Sequence, residues 1–451
     1  MDPNDLVLSL SAALPEDIAR AKEAGYFEKA VSLIDARLKG ELPQMMRRRL
    51  ICEKERLRRL PRQYPYDRDE VLTLCREAMP GFADKDLEAY EAAGLADRIY
   101  IEGRKRYFVR CHKSLARCRL TGGKENPYLD GMIDVMKRDG GLKYEITIES
   151  GIGIDEEHFA PGLYRAWLPV PLIYGHQSGV KILAGGPDRL DPPDAPGRNA
   201  FWERNLDKAD MFRTRYRYLS AVRYVDPLDP GSFNGVPYPD TPAPDEDDLK
   251  EDGLHIRFTP FLKSLAREIT TGCRSDMEKA RAIYCWITQK VKYTFMRQYF
   301  LIDGVGEYAA VNGRGDCGLQ AILFIVLCRI AGIPARWQSG MSIDPDGPGD
   351  HDWAQFYVEP WGWLFADPSF GGSAFRAGAA ERHAFYFGNI DPMRMAANRM
   401  FMAPLSPPNL QLRIDPYDMQ EGEIERAGAP EPFISSQIVT YKDLISAVRI
   451  G

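Results

Sequence analysis

The chain has 451 residues, 44% hydrophobic and 27% charged, which is enough apolar material for a sizeable buried core. Lys and Arg total 59 against 65 Asp and Glu, a formal charge of −6, and this balance argues against a polyanion as partner for the whole chain. At about 150 residues per domain, the length implies about three domains. Met1 to Leu14 has no basic start ahead of an apolar stretch, so it does not read as a signal peptide. The longest apolar run, Ala321 to Cys328, is far too short to span a membrane. A cytoplasmic protein with no membrane partner is the expectation. None of the eight cysteines sits in a C-x-x-C pair, so no structural zinc site is expected and the thiols should be reduced.

Residues 1–120 read as a mainly helical domain. Ala19 to Leu38 carries a helical apolar stripe broken at Gly25, and a second helix is expected from Pro43 to Leu60, stopped by Pro61. Asp69–Met79 and Asp84–Ala93 follow as short helices, then Ile99–Val109 alternates about a turn at Glu102-Gly103. Helix, helix, hairpin is the order of a winged-helix-like unit. Residues 104 to 119 hold seven Lys or Arg, a weak nucleic-acid signal that reads better as a charged hairpin or a domain contact. This domain is expected to fold apart from the rest.

Residues 140–226 change to strand patterning. Leu142, Tyr144, Ile146 and Ile148 alternate with polar residues, as do Phe212, Thr214, Tyr216 and Tyr218, and Leu163–Leu172 carries strand-end prolines. A small β-sandwich is expected. Residues 227–248, rich in Pro, Gly and Asp, read as a flexible linker. Helices resume at Thr259-Pro260 and at a capping box opening with Ser275, and a catalytic core is assigned to 249–395. Residues 396–451 form a C-terminal extension with Gln437–Tyr441 as its strand. The fold class is therefore α+β.

The chemistry is concentrated at Gly315-Asp316-Cys317-Gly318 and the apolar run Ala321 to Cys328 behind it. Gly315 permits a tight turn and Asp316 can cap a helix too apolar to be anything but buried. Cys317 then lies in the first helical turn, where the helix dipole favours a thiolate and unpaired N–H groups can bind an oxyanion. Asp316 opposes the thiolate. His351 opens a strand-like run ending near Val358, Pro360-Trp361-Gly362 supplies a turn, and Trp363–Asp367 returns. A carboxylate at 367 could orient the imidazole. With the turn at 360–362, however, Asp367 pairs with Gln355, on the face of His351 but about 13 Å along the strand from it. A bulge or another register must close that gap.

Taken together, Gly315-Asp316-Cys317-Gly318, Arg329 to Arg336, His351-Asp352-Trp353, Gly362-Trp363 and Asp367-Pro368-Ser369 resemble, in order and spacing, the core of the transglutaminase-like superfamily over roughly residues 265–372. The block around Trp167-Leu168-Pro169-Val170-Pro171 is similar to the N-terminal β-domain of bacterial members. The resemblance implies a papain-like core with Cys317 as nucleophile, His351 as base and Asp367 as its orienting partner. Tyr293 or Trp286 would be candidates for a second oxyanion donor. It also implies a cysteine-dependent hydrolase or acyltransferase working through a thioester on peptide or protein substrates, with hydrolysis (protease or deamidase) favoured. The alternatives are a protein cross-linking transglutaminase and an inactive binding scaffold. No cofactor and no metal are expected, and the Asp344, Asp346, Asp350 loop reads as a solvated turn.

Overall fold

A computed structural model describes residues 7–119, 126–229, 231, 238 and 241–451. Helices α1 (Glu16–Glu23) and α2 (Phe27–Leu38) form a hairpin whose turn needs Gly25. Its φ is +80°, and a Cβ there would meet the Tyr100 carbonyl at 2.2 Å. Ile18, Ala21, Phe27, Ala30 and Ile34 pack on Leu50 and Leu57 of α3 (Gln44–Gln63). Helix α3 carries Pro61 inside its last turn rather than stopping at it. The second unit is α4 (Arg68–Ala78), α5 (Asp84–Ala92), the hairpin β1 (Arg98–Ile101) and β2 (Arg104–Tyr107), and α6 (Cys111–Arg119). Asp67 and Glu70 close a capping box at the start of α4. Glu102 and Gly103 both have positive φ, the requirement of a two-residue hairpin turn that follows the strand twist.

The expectation that residues 1–120 fold apart is overturned by charge. Arg56 of α3 is buried and donates to Phe300 O (2.7 Å) and Asp303 Oδ1 (2.7 Å), as well as to Glu53 Oε2 (2.9 Å). Arg59 donates to the carbonyls of Arg413 and Ile414, and Arg314 reaches Asp97 at 3.1 Å. Apart from Glu53 and Asp97, the partner groups lie beyond residue 250, so the buried arginines of α3 and Asp97 are satisfied in part by the later chain.

After α7 (Pro127–Asp139) come two four-stranded antiparallel sheets. One has β3 (Gly141–Ile154) and β8 (Met211–Arg223) at its centre, β5 (Gln177–Ala184) on one edge and β17 (Ile438–Arg449) on the other. The second runs β16 (Glu423–Arg426), β4 (Gly162–Pro169), β7 (Asn199–Leu206), β6 (Arg189–Leu190). Each sheet thus takes a strand from the C-terminal residues, so the sandwich is not confined to 140–226 and 396–451 is no appendage. Strand β17 is a half-exposed edge with little apolar alternation, which is why only four of its residues fall within the expected strand Gln437–Tyr441. The described residues of the 227–248 segment do not hang free either. Tyr238 is buried against Phe365 and His176, and the Pro242 carbonyl accepts from Trp363 Nε1 at 2.8 Å.

The core is built on α11 (Cys317–Ile330), buried from Cys317 to Arg329. It is flanked by α8 (Pro260–Ile269), α9 (Asp276–Lys290) and α10 (Val305–Asn312) and packs on a five-stranded sheet. The order is β14 (Phe387–Gly388), β13 (Gly362–Ala366), β12 (Gly347–Val358), β11 (Ala335–Asp344), β15 (Arg394–Asn398). A parallel pair, β9 (Lys292–Tyr293) with β10 (Arg314–Gly315), leads into α11. The β12–β13 register runs from Val358↔Gly362 to Ala354↔Ala366. The turn is therefore Glu359-Pro360-Trp361, one residue earlier than expected. Gly362, at φ +75°, leaves the turn as a strand residue, while Pro360, lacking an N–H, stays in the loop. Asp367 follows opposite Trp353, two residues from His351 instead of four. A slip of two keeps the face and closes the gap to about 7 Å.

Glu53 shows what the N-terminal docking depends on. Burial would raise its pKa, but Arg56, Lys22 and Arg49 outweigh it and hold the carboxyl down at about 2, against 4.5 ordinarily. A depressed carboxyl stabilises the fold fully above its unfolded value and loses that contribution as pH falls toward 2. Urea unfolding at stepped pH should show stability falling between about pH 5 and 2 in the native chain, with a shallower fall in Glu53→Gln. At neutral pH Glu53→Ala should cost about 3–5 kcal/mol, because it strands two buried arginines.

Candidate active site

Cys317 is the first residue of α11, where its N-cap, Asp316, accepts from Leu319 N (3.2 Å) and Tyr299 OH (2.8 Å). Gly318 has a local reason as well: a Cβ there would lie 2.1 Å from Tyr299 OH. The turn therefore demands glycine after cysteine so that the phenol can reach Asp316. Cys317 lines a cleft of about 480 Å³ between the core, the N-terminal unit and the segment after β15. Val109 and Arg110 form one wall, Tyr293, Phe295 and Tyr299 a second, and Asp415, Asp418 and Gln420 a third. Its thiol, 8% exposed, donates to Asp352 Oδ2 at 3.5 Å, and among the described residues no hydrogen bond joins it to His351.

His351 and Asp367 are brought together. The His351 Nε2 lies 2.7 Å from Asp367 Oδ2, and the ring packs on Phe370 with centroids 4.4 Å apart. Asp367 caps α12 (Pro368–Arg376), its Oδ1 accepting from Phe370 N at 2.9 Å. Its Oδ2 also accepts from Arg394 Nη1 at 3.0 Å, and Arg394 in turn bonds Asp391 Oδ2 at 2.9 Å. Burial would push Asp367 up, but His351 and Arg394 overcome it and hold the carboxyl below its usual range. Burial pushes His351 down, against the pull of Asp367. The neutral imidazole is so favoured, and among the described residues no hydrogen bond engages its Nδ1.

The thiolate expected from the helix start is opposed. Burial first, then the carboxylates of Asp352 and Asp316, push the Cys317 thiol well up. Burial raises Asp316 to about 6, against the Tyr299 hydrogen bond. Asp352 is raised by burial and by Asp316. A helix dipole contributes about 0.3–2 kcal/mol, less than two close like charges in a buried site.

Of the two oxyanion candidates, Tyr293 lines the cleft and its phenol is raised by burial and by Cys317. Trp286 lies on α9, packed against the hydrophobic core, and is not on the cleft. Three residues at the site have no sequence signal, Gln420, Arg394 and Asp391, while Asp352 lies in the His351-Asp352-Trp353 motif without a role assigned to it. The basic run has a structural use. Arg110 lies over the Phe295 ring at 3.6 Å and Arg117 over Tyr293 at 4.2 Å, while Lys105 pairs with Glu91. Asp350 pairs with Lys442. Among the described residues no group of three or more His, Cys, Asp or Glu side chains is arranged to hold a metal, and no helix is long and apolar enough to cross a membrane.

Residues 263–368 match the family model of the transglutaminase-like superfamily core. This segment is a transglutaminase-like domain. It contains Cys317, His351 and Asp367, whereas Arg394 and Gln420 lie beyond it. Among solved structures, the chain is similar to a candidate cysteine protease from Cytophaga hutchinsonii, at 14% identity over 69% of this chain and 90% of that one, TM-score 0.39. It is also similar to the periplasmic domain of TgpA from Pseudomonas aeruginosa, at 16% identity over 56% of this chain and 95% of that one, TM-score 0.28. No curated protein matches the chain.

Because Asp367 is what raises His351 against burial, Asp367→Asn should drive the imidazole titration lower still. The ring-proton shifts of His351, followed by NMR across acid pH, check this: a midpoint that stays or rises would mean Asp367 does not set the ring's charge.

Proposed function

We propose that this chain is a cysteine-dependent amide hydrolase acting on peptide or protein carbonyls, with Cys317 as nucleophile, His351 as base and Asp367 as orienting partner. The observation that carries the reading is the His351 Nε2–Asp367 bond, locked by Arg394, on the strand whose next residue touches the Cys317 sulfur. Asp367 fixes the tautomer that leaves Nδ1 able to accept a proton. The thiol proton passes to Nδ1, and the sulfur attacks the carbonyl carbon. The carbonyl oxygen takes the electron pair and is held by the N–H groups of the first turn of α11, with Tyr293 OH available from the cleft wall. The imidazolium returns its proton to the departing nitrogen, leaving a thioester. Water, which reaches the cleft past exposed Arg110 and Glu421, then releases the acid and restores the thiol.

One observation favours cross-linking as the second reading: the carboxylates of Asp350, Asp415, Asp418 and Glu421 along the cleft would attract a cationic amine acceptor. The engagement of the thiol by Asp352 is the feature a catalytically inactive scaffold would share.

Incubation with a peptide library and mass analysis of the captured adduct should find an acyl group on Cys317. Free acid or deamidated products point to hydrolysis, amine conjugates to cross-linking, and no adduct with any peptide sinks both. Cys317→Ala should abolish turnover while retaining binding. Asp367→Asn should keep the fold and lower turnover by a factor on the order of hundreds or more.

A further inference from the structure

A Cys-His-Asp mechanism asks nothing of the residue between His351 and Trp353, yet that residue is a buried carboxylate in contact with the sulfur. The two oxygens of Asp352 are divided. Oδ2 accepts from Cys317 Sγ at 3.5 Å, and Oδ1 accepts from Gln420 Nε2 at 2.5 Å. Gln420 is itself buried and belongs to the irregular segment after β15, far from the core motif in sequence. The carboxylate is thus pinned from behind and presents its other oxygen to the nucleophile. We propose that Asp352 is a positioning residue that masks Cys317, holding the sulfur as a thiol hydrogen-bonded to Oδ2 until a seated substrate breaks that bond and frees the sulfur for His351. This rests on the reading of Cys317 as nucleophile.

The proton count supports masking. A carboxyl loses its proton well before a thiol does, so when the pair has given up one proton the charge stays on Asp352 and the hydrogen on sulfur. Making a thiolate beside it places a second negative charge in the same buried site. The surroundings add to the opposition: Asp316 at the head of α11, Asp350 on the same strand, and Asp415, Asp418 and Glu421 on the segment that carries Gln420. Among the cations, Lys442 of β17 pairs with Asp350, and Arg110 lies stacked on Phe295. Tyr293 and Tyr299, the phenols facing the sulfur, are raised by burial and bring no positive charge. When the bond breaks, the proton moves from Sγ to His351 Nδ1 and the sulfur lone pair forms the bond to the carbonyl carbon, so Asp352 neither gains nor loses a proton.

Alkylation of the full-length protein by iodoacetamide, mapped to Cys317 by mass and followed from acid to alkaline pH, tests this without a substrate. Asp352→Asn, nearly isosteric, should move the midpoint of Cys317 labelling down by about one pH unit or more, a rate gain of about tenfold at neutral pH. Gln420→Leu, which frees Oδ1 without touching the sulfur, should move it in the same direction by less, and serves alone if Asp352→Asn does not fold. A midpoint that stays or rises in the folded variants overturns the masking. Peptide capture on the same proteins separates the two readings. Faster labelling with no acyl adduct in any variant removes the enzyme reading and leaves the masking. Acyl capture with unmoved labelling removes only the masking.

Discussion

An ionised carboxylate with 1% of its surface exposed survives in a protein interior only if its charge is answered on every side, and Asp367 is answered three times. The Phe370 amide, the His351 ring and the Arg394 guanidinium each supply a proton to its two oxygens. Much of the site's geometry follows from that one group. The cap decides where α12 begins, the ring nitrogen it takes decides which tautomer His351 holds, and the guanidinium ties β15 to the far end of β13. Arg394, fully buried, is in turn shared with Asp391. The network is self-consistent only as a whole, because removing any member strands a buried charge rather than a surface one.

The parts of this arrangement that were legible in the sequence are the local ones. A glycine, a capping acid and an uninterrupted apolar run mark the head of α11 within a few residues, and the face shared by His351 and Asp367 follows from strand periodicity. The register was off by two because two adjacent turns of equal length satisfy the same alternation, and only the backbone freedom of Gly362 decides between them. Arg394 and Gln420 were not legible, since they reach the site through a strand and an irregular segment that no short-range pattern connects to it. Nor is the docking of α3 legible: no short-range pattern says that the charges of Arg49, Glu53, Arg56 and Arg59 are spent on one another and on core carbonyls.

The thiol illustrates a contest that spacing alone cannot decide. The head of a helix favours a thiolate, and so would an imidazolium, yet the sulfur is buried and faces two acids. Burial multiplies the effect of each neighbouring charge. A thiol placed this way is held in its neutral form, and only a change in those neighbours would favour its ionisation. In chemical terms the site resembles a cocked arrangement more than a permanently ionised one.

The order of the residues along the chain has a consequence for synthesis. Cys317 leaves the ribosome well before Arg394, which bonds the Asp367 partner of His351, and before Gln420, which bonds Asp352. Strands β16 and β17, which complete both sheets of the sandwich, come later still. A nascent chain ending at the last residue of the family match would present Cys317, His351 and Asp367 without Arg394 and Gln420. The arrangement around Cys317 and His351 is therefore complete only once translation has passed the segment that follows the transglutaminase-like domain, and a truncated product would carry that arrangement unfinished.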